Sequence, residues 1–188
     1  MSKGLKNGLI IGGVILILVF LLGSTYNSLV NAEEEVNSKL ADVSVQLERR
    51  ADLIPNLVNT VKGYASHETE VINNITNARQ KLINADSVEE KSKANDELTT
   101  ALNRLLVVVE NYPDLKANTN FIQLQDELAG TENRIAVARR DYNSAVETYN
   151  KNIKKFPKNI LAGMFRFEQK EYFEAKESSN EVPNVSFE

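Results

Sequence analysis

Stepping by three and four from Tyr26, the chain places Leu29, Glu33, Val36, Leu40, Val43, Leu47, Arg50, Ile54, Leu57 and Val61 on one helical face. The same phase runs on through Tyr64, Glu68, Val71, Ile75, Ala78 and Leu82. Apolar residues at this period predict a long first helix over residues 26–82, with its stripe buried and with Glu33, Arg50 and Glu68 as its charged interruptions. Pro55 lacks an amide hydrogen and crowds the preceding turn, so a bend is expected near Ala51 to Pro55. Lys62-Gly63-Tyr64-Ala65-Ser66 is a second weak point in the same helix.

Residues Asn84 to Ser87 read as a turn, and Ser87 followed by Glu90 is a capping box that opens a second helix. Its apolar positions are Leu98, Leu102, Leu105 and Val109, and the run from Leu105 to Val109 is apolar on every side, which predicts the most buried part of the fold there. Pro113 stops this helix, because the residue before a proline avoids the helical region. A third helix is expected from Asn120, with Gln123 completing a second box. Leu124, Leu128, Thr131, Ile135, Ala138, Tyr142, Ala145 and Tyr149 form its seam, flanked by charges, and Pro157 ends it. A short helix from Pro157 to Phe165 follows, then an aromatic stretch through Phe173 and an acidic tail.

Ahead of these helices, Leu9 to Leu22 is apolar apart from Gly12 and Gly13. With its flanks the segment reaches roughly 20 residues, the length a bilayer requires. A cleaved secretory signal is the rival reading, with Val30 and Ala32 as the small-residue site. That site lies well past the apolar run, and the helical register passes through it unbroken. The expected fold is therefore all-α, an N-terminal transmembrane helix continuing into an antiparallel bundle of three long helices plus a shorter fourth element. The corresponding segments are an anchor at 1–25, a helical bundle at 26–167 and an extended tail at 168–188. Lys3 and Lys6 precede the span and Glu33, Glu34 and Glu35 follow it, which by the positive-inside rule leans the bundle to the extracytoplasmic side.

Composition narrows the function classes. A net charge of -4 argues against a nucleic-acid partner, which calls for a basic field. The absence of cysteine removes disulfides, thiolate metal sites and a cysteine nucleophile. A single histidine, His67, cannot furnish the paired Glu-x-x-His of a di-iron bundle or a zinc protease motif, and it reads as a partly exposed helix residue. No phosphate-cradling loop, dinucleotide fingerprint or nucleophile elbow occurs. Neither enzyme activity nor a cofactor or metal is expected.

The polar interruptions carry the remaining interest. A buried charge is costly unless paired, so Arg50 and Glu68 predict an internal polar network or a partner site that draws on Arg49, Arg50, Asp52, Glu68, Arg139 and Asp141. Helix 3 is expected to supply Asp141 or Glu132 to Arg50, and Arg139 or Arg134 to Glu68. The pairs Tyr142-Asn143 and Tyr149-Asn150 read as core tyrosines whose hydroxyls seek polar partners. Lys151, Lys154, Lys155 and Lys158 interleave with Phe156, Ile160, Leu161, Met164, Phe165 and Phe167. Such a segment either packs as a flap on the bundle end or lies on an anionic membrane surface.

Longer blocks carry a family resemblance. Arg49-Arg-Ala-Asp-Leu-Ile-Pro-Asn-Leu-Val58 and Val61-Lys-Gly-Tyr-Ala-Ser-His-Glu68 resemble the signature of the LemA family. So do Glu110-Asn-Tyr-Pro-Asp-Leu-Lys-Ala117, Asn120 to Leu128, Thr131 to Asn143, Tyr149-Asn150, Phe156-Pro157 and Val185-Ser186-Phe187. The resemblance implies a bacterial single-pass membrane protein with an antiparallel helical bundle and without established catalytic residues or cofactor. It also implies a link, for some relatives, to internal membrane organisation, and an inside bundle that opposes the lean of the basic flank. The expected function is a membrane-anchored, non-enzymatic scaffold that self-associates or organises the lipid bilayer and membrane-protein partners. The alternative is an adaptor or sensor bundle that binds a small ligand or peptide, in a setting such as envelope protein quality control.

Overall fold

The computed structural model describes residues 3–173, apart from the side chains of Lys3 and Lys6. Over these residues the chain is all-α, with helices α1 (Lys3–Lys62), α2 (Thr69–Ile83), α3 (Val88–Val109), α4 (Pro113–Lys116), α5 (Thr119–Lys154) and α6 (Lys158–Phe165). Two compact units emerge, one from Met1–Lys39 with Asn143–Glu171 and the other from Leu40–Tyr142 with Tyr172–Glu188, so α1 and α5 each contribute to both. The tail motif Val185-Ser186-Phe187, and the acidic tail beyond Phe173, lie outside the described residues.

The second unit is an up-down-up-down bundle. Arg49 of α1 meets Glu127 of α5, while Tyr64 and Asn118 meet near the opposite ends of the same two segments, so α1 and α5 run antiparallel. Arg50 meets Asn95 and Glu68 meets Tyr112, which sets α3 parallel to α1. Its core is the predicted stripe: Val43, Leu47, Ile54, Leu57 and Val61 of α1 against Ile75, Leu98, Leu105, Leu128 and Ile135.

Three expectations needed correction. The first helix ends at Lys62 rather than running to Leu82. At the Gly63 weak point the helical ladder is replaced by tight bonds, Gly63 to Thr60 and Tyr64 to Val61, and the chain reverses into α2. Pro55 sits inside α1, and the i−4 carbonyl it leaves without an amide, that of Ala51, accepts instead from Arg79 Nε of α2 at 2.8 Å. Along a continuous helix these residues would stand about 42 Å apart. The proline is thus accommodated by the hairpin that the glycine creates.

The second correction concerns the end of α3. Leu105 and Val109 are buried, but Leu106 is 46% and Val107 72% exposed, so the apolar run is not enclosed on every side. In the third, Asn118 replaces Asn120 as the cap of α5, its Oδ1 accepting from the Phe121 amide at 3.0 Å. The Ser87–Glu90 capping box forms as expected, and its backbone bonds from Ser87 and Asp86 hold the Glu90 carboxyl below its ordinary pKa.

In the first unit, the apolar side chains from Leu9 to Leu22 are all more than half exposed, and this part of α1 is long and apolar enough to cross a membrane. From Leu29 onward the stripe becomes buried. Helix α1 passes through Val30 and Ala32 without a break.

Candidate functional site

Arg50 is the centre of the predicted polar network, and the bundle brings α3 and α5 to it. Its residue is 3% exposed. Nη1 donates to Asn95 Oδ1 and to Thr99 Oγ1, the latter at 3.0 Å, and it forms an ion pair with Glu132 Oε2. Burial pulls the Arg50 pKa below its ordinary value, while Glu132 and Asp96 oppose that shift. Thr99 also donates to the Asn95 carbonyl, and Asn95 is fully buried. Arg50 Nε, Asn95 Nδ2, Glu132 Oε2 (whose contact with Arg50 is the ion pair alone) and Gln46 Oε1, one turn earlier on α1, find no hydrogen-bond partner among the described residues. The cluster is closed within the chain but not saturated.

The predicted residues separate around this centre. Glu132 was one of two expected partners for Arg50 and is the one that pairs; Asp141 is exposed and lies beside Arg140. Asp52 is exposed on the outer face of α1. Arg49 pairs with Glu127 at 3.1 Å in an exposed bridge of modest worth. Arg139 approaches Asp96 at 4.0 Å and covers the Phe173 ring at 4.5 Å. Glu68 does not pair with Arg139 or Arg134. It accepts from the Tyr112 hydroxyl at 2.7 Å, and this bond raises the Tyr112 pKa. Since α1 ends at Lys62, Glu68 lies in the reversal and Arg50 in the bundle, so the two are not one site.

Asn95, Thr99 and Phe173 were missing from the sequence-based set. A signal for Asn95 existed: it stands three residues before Leu98, in phase with the α3 stripe. Phe173 is 2% exposed and meets Tyr142 edge-on at 6.4 Å, although it belongs to a segment without regular structure.

The first unit explains the second Tyr-Asn pair. The Asn150 side-chain amide donates to the Lys170 carbonyl and accepts from the Lys170 amide, both at 2.9 Å, so it pins the returning segment as a backbone partner would. Lys170 also pairs with Glu33 at 2.7 Å, which accounts for that charged interruption of the stripe. Tyr149 is fully buried, and its hydroxyl has no hydrogen-bond partner among the described residues. Burial, with Glu33 and Glu168 adding, pushes its pKa from 10.0 to about 12.

A folded pKa above the unfolded one gives stability that is complete below pH 10 and lost as pH rises toward 12. The loss attributable to Tyr149 amounts to about 2 to 3 kcal/mol across that window. Tyr149→Phe is therefore expected to keep or raise stability near neutrality, since it removes an unpaired buried hydroxyl. It should also flatten the alkaline decline relative to the native chain, read from denaturant midpoints at about pH 8 and about pH 11. An unchanged alkaline slope would refute the assignment.

The sequence profile of the LemA family matches residues 39–187. Magnetosome protein MamQ 2 of Paramagnetospirillum magneticum strain AMB-1 is 28% identical over 204 aligned residues, covering 94% of this chain and 75% of that protein. MamQ of Magnetospirillum gryphiswaldense strain MSR-1 is 27% identical, covering 80% of this chain and 65% of its own length. Protein LemA of Metamycoplasma hominis is 29% identical, with 86% and 74% covered. With the profile running from the buried stripe of α1 to the tail, the chain belongs to the LemA family.

Proposed function

We propose that this chain is a membrane-anchored, non-enzymatic scaffold whose bundle self-associates or gathers protein partners at a bilayer. The observation that carries the reading is α1, a single helix whose apolar side chains from Leu9 to Leu22 are exposed and whose later part is the central stripe of a bundle. An exposed run of aliphatic side chains of this length is stable only in lipid. Residues 1–25 serve as the anchor, 26–167 as the bundle and 168–188 as its tail. The names of the magnetosome relatives fit a role at an internal membrane. Leu106 and Val107, exposed on α3, are apolar surface for contact between copies.

The test is the particle mass of the full chain in lipid nanodiscs. Assemblies of several copies, reduced to single copies by Val107→Glu, are expected. A chain that stays single at micromolar concentration would remove self-association. The basic flank leans the bundle to the extracytoplasmic side, so protease added to intact spheroplasts is expected to cut it; full protection would reverse that orientation.

The adaptor or sensor reading has one observation in its favour, the unpartnered Arg50 Nε and Asn95 Nδ2. Against it, Arg50 and Asn95 are buried and already face protein partners.

A further inference from the structure

Helix α6 leaves an apolar face without protein cover. Leu161 and Ala162 are buried, whereas Phe156 is 81%, Ile160 56% and Met164 68% exposed. Ile160 and Met164 stand one turn apart on α6 and share a face, and Phe156 stands just ahead of the helix, before Pro157. Between Glu147 and Glu168 the chain has no acidic residue and carries Lys151, Lys154, Lys155, Lys158 and Arg166, a local excess of positive charge in an acidic protein.

The position of α6 on α1 identifies what covers this face. Lys158, at its start, donates to Ser28 Oγ at 3.0 Å. Phe165, at its end, packs on Tyr26 with ring centroids 4.8 Å apart, and Phe167 joins at 5.9 Å. Lys158 and Phe165, seven steps or about 10 Å apart along α6, thus meet two positions of α1 that differ by about 3 Å in height, so α6 lies across α1. The span of roughly 20 residues that a bilayer requires ends near Tyr26, so Tyr26 stands at the edge of the hydrocarbon and Ser28 about 3 Å beyond it, within the headgroup layer of about 5 to 8 Å. Aromatic rings also concentrate at this level of a membrane.

We propose that α6 is an interfacial foot: its Ile160–Met164 face, with Phe156 just ahead of it, enters the anionic lipid surface of the bilayer spanned by α1, with Lys154, Lys155, Lys158 and Arg166 on the headgroups. This rests on the anchor assigned above. Insertion in the plane at the base of a span fixes the tilt and rotation of α1 in its membrane, which a lone helix leaves free.

The chain contains no tryptophan, so single reporters are clean. Full-length Ile160→Trp, Leu16→Trp and Ser144→Trp variants are reconstituted in vesicles of brominated lipid, anionic or zwitterionic, after a check that helix content is unchanged. Ser144 is exposed on α5, about 15 Å along the helix from Lys154. The Ile160→Trp reporter is expected to lose roughly half its emission in anionic vesicles, and much less when Lys154→Glu and Lys155→Glu are added. Quenching in Leu16→Trp, with Ile160→Trp no more quenched than Ser144→Trp, overturns the foot and leaves the anchor standing. A blue-shifted but unquenched indole in Ile160→Trp also overturns it, because protein then covers the face. Absence of quenching in Leu16→Trp instead removes the anchor.

Discussion

Glu132→Leu lowers the stability of the bundle by about 3 kcal/mol, and adding Arg50→Met to it recovers much of that loss. Removing one member of a buried ion pair leaves a desolvated charge without compensation, a cost of about 3 to 5 kcal/mol in enclosed sites. The lower end applies because the Glu132 side chain is 40% exposed overall, although the Oε2 that faces Arg50 is buried. Replacing the arginine as well removes the charge itself. What then persists is the Asn95 carbonyl oxygen and Thr99 hydroxyl without their donor. Arg50→Met alone consequently costs less than Glu132→Leu alone. Urea denaturation of the native chain, both single variants and the double variant measures this. Additive losses would show that the two side chains do not act as a pair.

Arg79→Met costs about 2 kcal/mol in the native sequence and well under about 1 kcal/mol in a Pro55→Ala background. Arg79 Nε serves the Ala51 carbonyl only because residue 55 has no amide hydrogen to offer it. Ala51 is 1% exposed, so in Arg79→Met its carbonyl loses both the helical and the tertiary donor, at about 1.5 to 3 kcal/mol for a bond from a charged group. Alanine at 55 restores the ordinary ladder bond. The double-mutant cycle by thermal or denaturant unfolding should show a coupling of more than about 1 kcal/mol. A coupling near zero would mean that the arginine contributes by packing alone.

The seam of this fold was readable because burial follows helical period. Leu29, Val36, Val43, Leu47, Ile54 and Leu57 are all enclosed where the stripe placed them. Period reports which face of a helix is apolar, and it carries no record of where the chain reverses. The stripe keeps phase across Gly63, and α2 buries Ile75 and Ala78 on the same count, so the hairpin at 63–68 was invisible to it. Leu106 and Val107 mislead for a related reason: an apolar run does not say whether its outer side chains meet another element.

The charged centre was legible in Arg50 and in Glu132, because a cation on a buried stripe requires an acceptor. Asn95 was marked only by its phase with the α3 stripe and Thr99 by nothing, since short polar side chains on a helix read as solvated unless the facing helix is known. Glu68 found Tyr112 rather than an arginine because the reversal carries it to the start of α4.

The central claim is that the Arg50 cluster is internal architecture and that the outer surfaces and the anchor make the contacts. Particle imaging of full-length Arg50→Met beside the native chain in lipid vesicles tests it most directly. The expected result is the same assemblies from a variant with native helix content. A variant that keeps its helices and unfolding midpoint yet no longer assembles would contradict the claim and make the cluster a partner site.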